Sequence, residues 1–308
     1  MDPKILGGVF LGWSLGANDS ANVFGTAVSS FMVNYRLATV LIAIFVLIGA
    51  LVGGKPGLET LGSLTEQSFR TAFIISISAA LTVTIMTALK IPVSTSQAVV
   101  GGIIGIGILQ KHIEFHYLYK VIICWIGTPI GAIFFSMILY PSLAIFFRKL
   151  NMHFLTYDRT MRILLILAGI YGAYALGANN VANVTGVFYK SGMINKFQAL
   201  LIGGLSIGVG ALTYSKNVMI TVGRKIISMD AFSAFISVLS EAITVHIYAI
   251  IGVPVSTSQA LVGAIVGVGI VKGIKMVSGK TILMIAIGWF LTPVLGMVFS
   301  LSFSSLPF

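Results

Sequence analysis

The chain has 308 residues, of which 57% are apolar and only 9% are charged, and its mean hydropathy is +1.03. A water-soluble globular domain of this length would not normally have such a composition, so we predict an integral membrane protein. The formal net charge of +11 does not indicate nucleic-acid binding, because the Lys and Arg residues are scattered over short loops. The lone Cys124 can form neither an intrachain disulfide nor a CxxC metal site.

Apolar runs follow one another along nearly the whole chain and predict an all-α polytopic membrane protein. About 20 helical residues cross a hydrocarbon core of about 30 Å, and the runs are continuous rather than alternating, which argues against an outer-membrane barrel. The first run lacks the pattern of a signal peptide, so we expect it to be retained as a helix. The runs lie at about 5–30, 37–53, 71–89, 97–110, 118–147, 163–188, 199–215, 231–252, 259–271 and 281–303.

Four motifs occur twice in the same order, about 160 residues apart. The pairs are Leu15–Gly25 with Leu176–Gly186, Ser78–Val83 with Ser240–Val245, Pro92–Ala98 with Pro254–Ala260, and Trp125–Pro129 with Trp289–Pro293. We therefore predict a tandem duplication, with residues 1–155 as the first repeat and residues 156–308 as the second. Each half makes three or five crossings, depending on whether runs 71–89 and 97–110 form a re-entrant hairpin or two crossings. Both numbers are odd, which predicts inverted-topology repeats.

The basic residues predict the orientation of the chain in the plasma membrane. If each half contains a re-entrant hairpin, the larger share of Lys and Arg falls on one side, which the positive-inside rule makes cytoplasmic. Both termini are then extracellular. The residues on the predicted cytoplasmic side are Arg36, Arg148, Lys149, Arg159, Arg162, Lys216, Arg224, Lys225, Lys272, Lys275 and Lys280.

The identical stretches Pro92–Ala98 and Pro254–Ala260 predict two broken helices that meet near the membrane midplane. Each proline ends the preceding helical segment, and the Ser and Thr residues after it are good N-caps for the next helix. Two helix N-termini that face each other form an anion site. Alternatively, the hydroxyls only cap kinked helices and bond to carbonyls, but the symmetric duplication favours the anion site.

The paired segments Leu15–Gly25 and Leu176–Gly186 place polar oxygen donors within the apolar runs. These residues are Asn18, Asp19 and Asn22 in the first half and Asn179, Asn180 and Asn183 in the second. Amide carbonyls and a carboxylate are hard oxygen ligands that suit Na⁺ or another hard cation. We therefore predict a cation site beside the anion site.

Each half also carries one intramembrane acid, at a different position in the repeat. Asp19 is replaced by Asn180 in the second copy, whereas Ala79 is replaced by Glu241. A charged group costs roughly 3 kcal/mol or more at the bilayer centre, so such acids indicate function. For Glu241 three roles remain open: a second cation ligand, a proton carrier, or a neutral acid near an interface.

These motifs resemble those of the inorganic phosphate transporter (PiT) family, whose signature is a duplicated GAND(V/A)AN motif. The copies here are Gly16–Asn22 and Gly177–Asn183, and the second has Asn180 where an Asp is common. The resemblance covers nearly the full length, without the long hydrophilic central loop of eukaryotic members. It implies a prokaryotic symporter of inorganic phosphate with inverted repeats, driven by Na⁺ or H⁺ and usually a homodimer.

The resemblance also implies a role for each paired motif. Phosphate oxygens would be bound by Thr95, Ser96, Gln97, Thr257, Ser258 and Gln259. Sodium ions, as co-substrate rather than cofactor, would be bound by Asp19, Asn22, Asn179, Asn180 and Asn183, with Glu241 as a further candidate.

The predicted mechanism follows from the charges of these residues. The sequence offers no clear intramembrane Arg or Lys to neutralise an anion, apart from the candidate Lys90. Helix N-termini and co-bound cations must then compensate the anion, so each ligand stabilises the other, which favours more than one Na⁺ per phosphate. We predict a secondary active symporter driven by a sodium gradient and working by alternating access.

Several alternatives are weaker. A proton-coupled phosphate permease or a sulfate permease on the same scaffold is the nearest, because sulfate is also a tetrahedral oxyanion; proton acceptors such as Asp19 and Glu241 favour phosphate. An anion channel would show a continuous basic pore lining. An intramembrane enzyme would show a motif such as HExxH or CxxC, and the sequence contains neither.

Overall fold

A computed structural model of the chain describes residues 2–62, 64–89, 93–225, 229–274 and 279–306. Lys90, Pro92 and Lys275, which the sequence analysis singled out, lie outside the described residues, as do the side chains of Arg224, Lys225 and Lys280. Regular structure within the described ranges is entirely helical. The predicted all-α fold is therefore confirmed.

Twelve helices form within these ranges, six in each half of the chain. They are α1 Ile5–Ser29, α2 Tyr35–Gly53, α3 Lys55–Gly62, α4 Phe69–Ala88, α5 Thr95–Gln110, α6 Phe115–Lys149, α7 Phe154–Lys190, α8 Lys196–Tyr214, α9 Lys216–Lys225, α10 Ala231–Ile251, α11 Thr257–Lys272 and α12 Gly279–Ser304. Each apolar run corresponds to one helix, and the short helices α3 and α9 were not predicted. The link between α6 and α7 is residues 150–153, so the predicted repeat boundary at 155/156 lies in the first turn of α7.

Seven of the described helices are long and apolar enough to cross a membrane, by length and composition. They are α2, α4, α6, α7, α8, α10 and α12. Helices α5 and α11 are apolar but have only 16 residues each, which corresponds to a length of about 24 Å. Each of them follows a long helix, so α4 with α5 and α10 with α11 form two equivalent hairpins.

The two halves interleave, because each first helix packs on the second helix of the other half. Helix α1 lies against α8 and α7 lies against α2. The contact points are glycines at equivalent positions: a Cβ at Gly16 would overlap the Ile207 carbonyl, and a Cβ at Gly177 would overlap the Val46 carbonyl. Small residues allow such close backbone approach between helices in membranes.

The short helices α5 and α11 also pack on helices of the other half. Helix α5 packs on α12 and α11 packs on α6. A Cβ at Gly101 would overlap the carbonyl of Pro293, and one at Gly263 would overlap the carbonyl of Pro129. Each short helix is therefore held by the last helix of the other half.

The two hairpins are closed at their outer ends by different chemistry. In the second half, Lys272 Nζ lies 2.6 Å from Asp230 Oδ2 and 3.3 Å from Ser233 Oγ. Although partial burial raises the pKa of Asp230, the hydrogen bonds from Lys272 and Ser233 hold it below its ordinary value overall. In the first half the corresponding link is neutral, since Thr65 Oγ1 donates to Gln110 Oε1 at 2.8 Å.

The exchanged helix contacts predict the effect of adding one methyl group to α5. Gly101→Ala is expected to destabilise the protein by about 1–3 kcal/mol, the usual cost of overpacking a close contact, because the Pro293 carbonyl occupies the position of the new Cβ. Gly279→Ala is the matched control, since a Cβ there meets nothing within 4 Å. Thermal unfolding of the purified protein measures both, and equal melting temperatures would contradict the packing described.

Candidate anion and cation site

The two short helices begin at the predicted residues and are capped identically. Ser94 precedes α5 and its side chain accepts the Gln97 N–H at 3.4 Å. Ser256 precedes α11 and accepts the Gln259 N–H at 3.3 Å. Each cap satisfies one of the four free N–H groups of its helix and leaves the others available to a ligand.

The two N-termini face each other, and each reaches across to the other half. Ser96 Oγ donates to the Val255 carbonyl at 3.0 Å, and Ser258 Oγ donates to the Val93 carbonyl at 3.2 Å. These reciprocal bonds bring together all six residues predicted to bind phosphate. Of the six, only Ser258 is partly exposed; the others are buried.

The polar segments of α1 and α7 also contact the N-termini across the halves. Asn22 Nδ2 donates to Thr257 Oγ1 at 3.0 Å. Asn183 Nδ2 lies 3.2 Å from Ser96 Oγ and 2.8 Å from Asn180 Oδ1. The predicted cation ligands therefore adjoin the predicted phosphate ligands.

Two carboxylates lie in this cluster. Asp19 and Glu241 are 3% and 2% exposed. The Asp19 side chain lies against the Thr257 hydroxyl, and Glu241 is close enough to Asp19 for their charges to interact. The buried side chains of the described residues include no Lys, Arg or His. Positive charge must therefore come from helix N-termini or from bound cations.

Several buried oxygen atoms in the cluster have no hydrogen-bond partner among the described residues. They are Thr95 Oγ1, Gln97 Oε1, Asn183 Oδ1, Glu241 Oε2 and Gln259 Oε1. Buried polar atoms without partners are uncommon in native structures, and carbonyl and carboxylate oxygens are hard ligands for cations such as Na⁺. The donor set fits a hard cation, and the Asn180 Nδ2 group, also unpartnered, fits an oxyanion.

Asn179 differs from the other predicted cation ligands. Its Nδ2 donates to the Val255 carbonyl at 2.8 Å, and its Oδ1 accepts the Val255 N–H at 3.1 Å. Both polar groups of the side chain thus bind the backbone of one residue, Val255, ahead of α11. The equivalent residue Asn18 instead donates to Thr87 Oγ1 of α4 at 2.8 Å.

Sequence reasoning missed two buried hydroxyls near the acids. Ser78 on α4 and Ser240 on α10 occupy equivalent positions, and neither Oγ has a hydrogen-bond partner among the described residues. Ser240 directly precedes Glu241. Both serines begin the repeated segments Ser78–Val83 and Ser240–Val245, which the sequence analysis used only as evidence of a duplication.

Two capped helix N-termini that face each other between interleaved halves define a membrane transporter. The profile of the Phosphate transporter family matches residues 15–300, and the chain belongs to that family. The predicted family resemblance is therefore confirmed. The protein is a multi-pass membrane protein of a transporter family rather than of an enzyme class.

Individual relatives match the chain over nearly its whole length. A candidate phosphate permease of Methanocaldococcus jannaschii is 33% identical over 290 residues, covering 94% of this chain and 92% of that protein. The sulfate permease of Bacillus subtilis is 28% identical, covering 96% and 85%. A solved structure described as the sodium-dependent phosphate transporter has a TM-score of 0.87 at 24% identity, covering 97% and 96%. This last similarity shows a shared fold.

The reciprocal serine bonds predict a stability effect in substrate-free protein. Ser96→Ala is expected to cost about 0.5–1.5 kcal/mol, because it removes a buried hydrogen bond between the halves. The matched control is Ser142→Ala, since that hydroxyl is exposed and bonds only within α6. Denaturation in detergent compares the two variants, and the facing arrangement is wrong if Ser96→Ala is no less stable than Ser142→Ala.

Proposed function

We propose that the protein is a secondary active symporter of inorganic phosphate driven by a sodium gradient. Phosphate binds between the N-termini of α5 and α11, through the Thr, Ser and Gln residues of both. Sodium ions bind beside it, at Asp19, Asn22, Asn180, Asn183 and Glu241. The observation that carries the proposal is the pair of buried acids facing two helix N-termini, with no buried basic residue among the described side chains.

The electrostatics of this cluster make binding of the two ligands interdependent. Phosphate brings at least one further negative charge to a site that already holds Asp19 and Glu241. Two unit charges 4 Å apart interact by about 4 kcal/mol at the effective dielectric typical of protein sites, which corresponds to roughly a thousandfold in affinity. A cation bound next to the phosphate therefore raises the affinity for phosphate, and phosphate raises the affinity for the cation equally.

The unpartnered oxygens favour a cation over a proton as the principal partner. A proton satisfies one oxygen, whereas Na⁺ takes several oxygen ligands at once, as do other hard cations. The cluster offers amide oxygens of Gln97, Asn183 and Gln259 in addition to the acids. The relative described as a sodium-dependent phosphate transporter has the same fold.

The reciprocal packing supports alternating access between inverted repeats. Helix α1 meets α8 as α7 meets α2, and α5 meets α12 as α11 meets α6. A pseudo-symmetric arrangement of this kind can exchange the conformations of its halves and so expose one site to either side. We further propose a homodimer in the plasma membrane with both termini extracellular.

A sulfate permease is the second candidate, because the Bacillus subtilis relative bears that name. Sulfate is fully deprotonated at neutral pH, whereas monobasic phosphate can still donate a proton to a carboxylate. Asp19 and Glu241 provide such carboxylates, so the site favours phosphate. Proton coupling through Glu241 is the other variant of the proposal.

Uptake of radiolabelled phosphate into proteoliposomes tests the proposal directly. We expect uptake under an inward Na⁺ gradient, no uptake without a cation gradient, and no competition by excess sulfate. Uptake driven by H⁺ alone would transfer the coupling role to Glu241. Suppression by sulfate would favour the second candidate.

Asp19→Asn is expected to abolish sodium-driven uptake, because it removes a negative charge that attracts the cation into a buried site. The exposed Glu66 provides the control variant Glu66→Gln, which removes the same charge far from the site and should transport normally. Initial uptake rates at varied Na⁺ concentration measure both variants, with gel filtration to establish folding. Unchanged sodium dependence in Asp19→Asn would refute its role as cation ligand.

A further inference from the structure

Asn18 and Asn179 occupy the same position in the two repeats but make different bonds. Asn179 is 1% exposed, and its amide binds both the N–H and the carbonyl of Val255. Asn18 is partly exposed and binds only the hydroxyl of Thr87. Identical residues at equivalent positions of the two repeats thus have different hydrogen-bond partners.

The Asn179 bonds fix the segment that leads into α11. That segment is extended at its last residue, Ser256, and the N–H and carbonyl of Val255 bond to side chains rather than to helical backbone. The Val255 carbonyl accepts from Ser96 as well as from Asn179. On its other side, Gly252 and Pro254 lie close to Pro56 and Gly57 of α3. The N-terminus of α11 is therefore held from three directions.

The N-terminus of α5 has an identical sequence around it but lacks the asparagine bond. Val93 and Val255 both stand four residues before the paired glutamines Gln97 and Gln259, in the same PVSTSQA context. The identical residues around Val93 and Val255 give Asn18 a potential partner of the same kind as the one that Asn179 binds. Exposure differs accordingly: Ser258 is partly exposed, whereas Ser96 is 1% exposed.

On the basis of the alternating access proposed above, we propose that Asn18 and Asn179 are alternating locks on the two helix N-termini. In the state described here, Asn179 holds Val255 and Asn18 rests on Thr87. In the state open to the opposite side, Asn18 leaves Thr87 and binds the backbone N–H and carbonyl of Val93, while Asn179 releases Val255. Both are positioning residues, because they act on the binding helices rather than on the ligand.

The two states are not equal in energy, because the resting partner exists in only one half. Thr87 corresponds to Ala249 in the second repeat, and Ala249 has no hydroxyl. When Asn179 is released it finds no hydroxyl at the position of α10 equivalent to Thr87, and an unpaired amide in a buried site is unfavourable. The substrate-free protein therefore favours the state described here.

Thiol reactivity in substrate-free protein tests the locks. In a Cys124→Ser background, Ser96→Cys and Ser258→Cys report which N-terminus a hydrophilic thiol reagent can reach. We expect the reagent to modify position 258 faster than position 96. Asn179→Ala should raise the ratio of the rate at 96 to the rate at 258 by about tenfold, the equivalent of one or two hydrogen bonds. Asn18→Ala should lower the same ratio.

A gain-of-partner variant avoids reliance on variants that fail to fold. Ala249→Thr supplies the missing resting hydroxyl for Asn179 and should raise the ratio in the same direction as Asn179→Ala. The matched control is Asn195→Ala, which removes an asparagine that caps α8 and should leave the ratio unchanged. A general structural role would change both rates in the same direction in every variant.

The outcomes separate the locks from the proposed function. Opposite shifts in Asn18→Ala and Asn179→Ala support the locks, even if the wild-type protein shows no sodium-driven phosphate uptake. Parallel shifts, or no shift in Ala249→Thr, would overturn the locks even if that uptake is normal. Reactivity without substrate therefore tests the inference independently of substrate and coupling ion.

Discussion

Two helix N-termini inside the membrane impose the constraint on which the rest of the structure depends. The first N–H groups of α5 and α11 have no helical acceptor, and lipid offers none. The caps at Ser94 and Ser256 satisfy one N–H group of each helix, and the packing against the other half covers both helices. The glycine contacts of α5 with α12 and of α11 with α6 follow from this requirement, since a wider spacing would leave the N-termini open to lipid. The same polar groups that are costly in hydrocarbon are those that suit an anion.

The site combines residues that are duplicated in both halves with residues that differ between the halves. The duplicated Thr, Ser and Gln residues come in equal number from the N-termini of α5 and α11. The acids break this symmetry, because Asp19 and Glu241 come from different halves and different repeat positions. The two halves therefore contribute equivalent polar residues to the cluster but acids at different repeat positions. Asn18 and Asn179 add a second kind of asymmetry, which lies in conformation rather than in sequence.

The sequence predicted the helices well, because apolar runs in a membrane protein correspond directly to helical segments. It also predicted the starts of α5 and α11, since proline followed by Ser and Thr is a local signal. It missed α3 and α9, which are short and each begin at a lysine. The partner of each glycine could not be predicted: nothing in the local pattern of Gly16 indicates the Ile207 carbonyl, because that contact depends on how two distant halves fit together. The bond from Asn179 to Val255 was missed for the same reason, and an amide that suits a cation equally suits a peptide.

The exchange of helices between halves has a consequence for biosynthesis. Helix α12 packs on the glycine face of α5 and is the last helix of the described chain to leave the ribosome. Until α12 has been synthesised, the face of α5 around Gly101 has no packing partner, so the first half cannot complete its folding. Synthesis that stops before α12 therefore leaves α5 without the helix that packs on its glycine face.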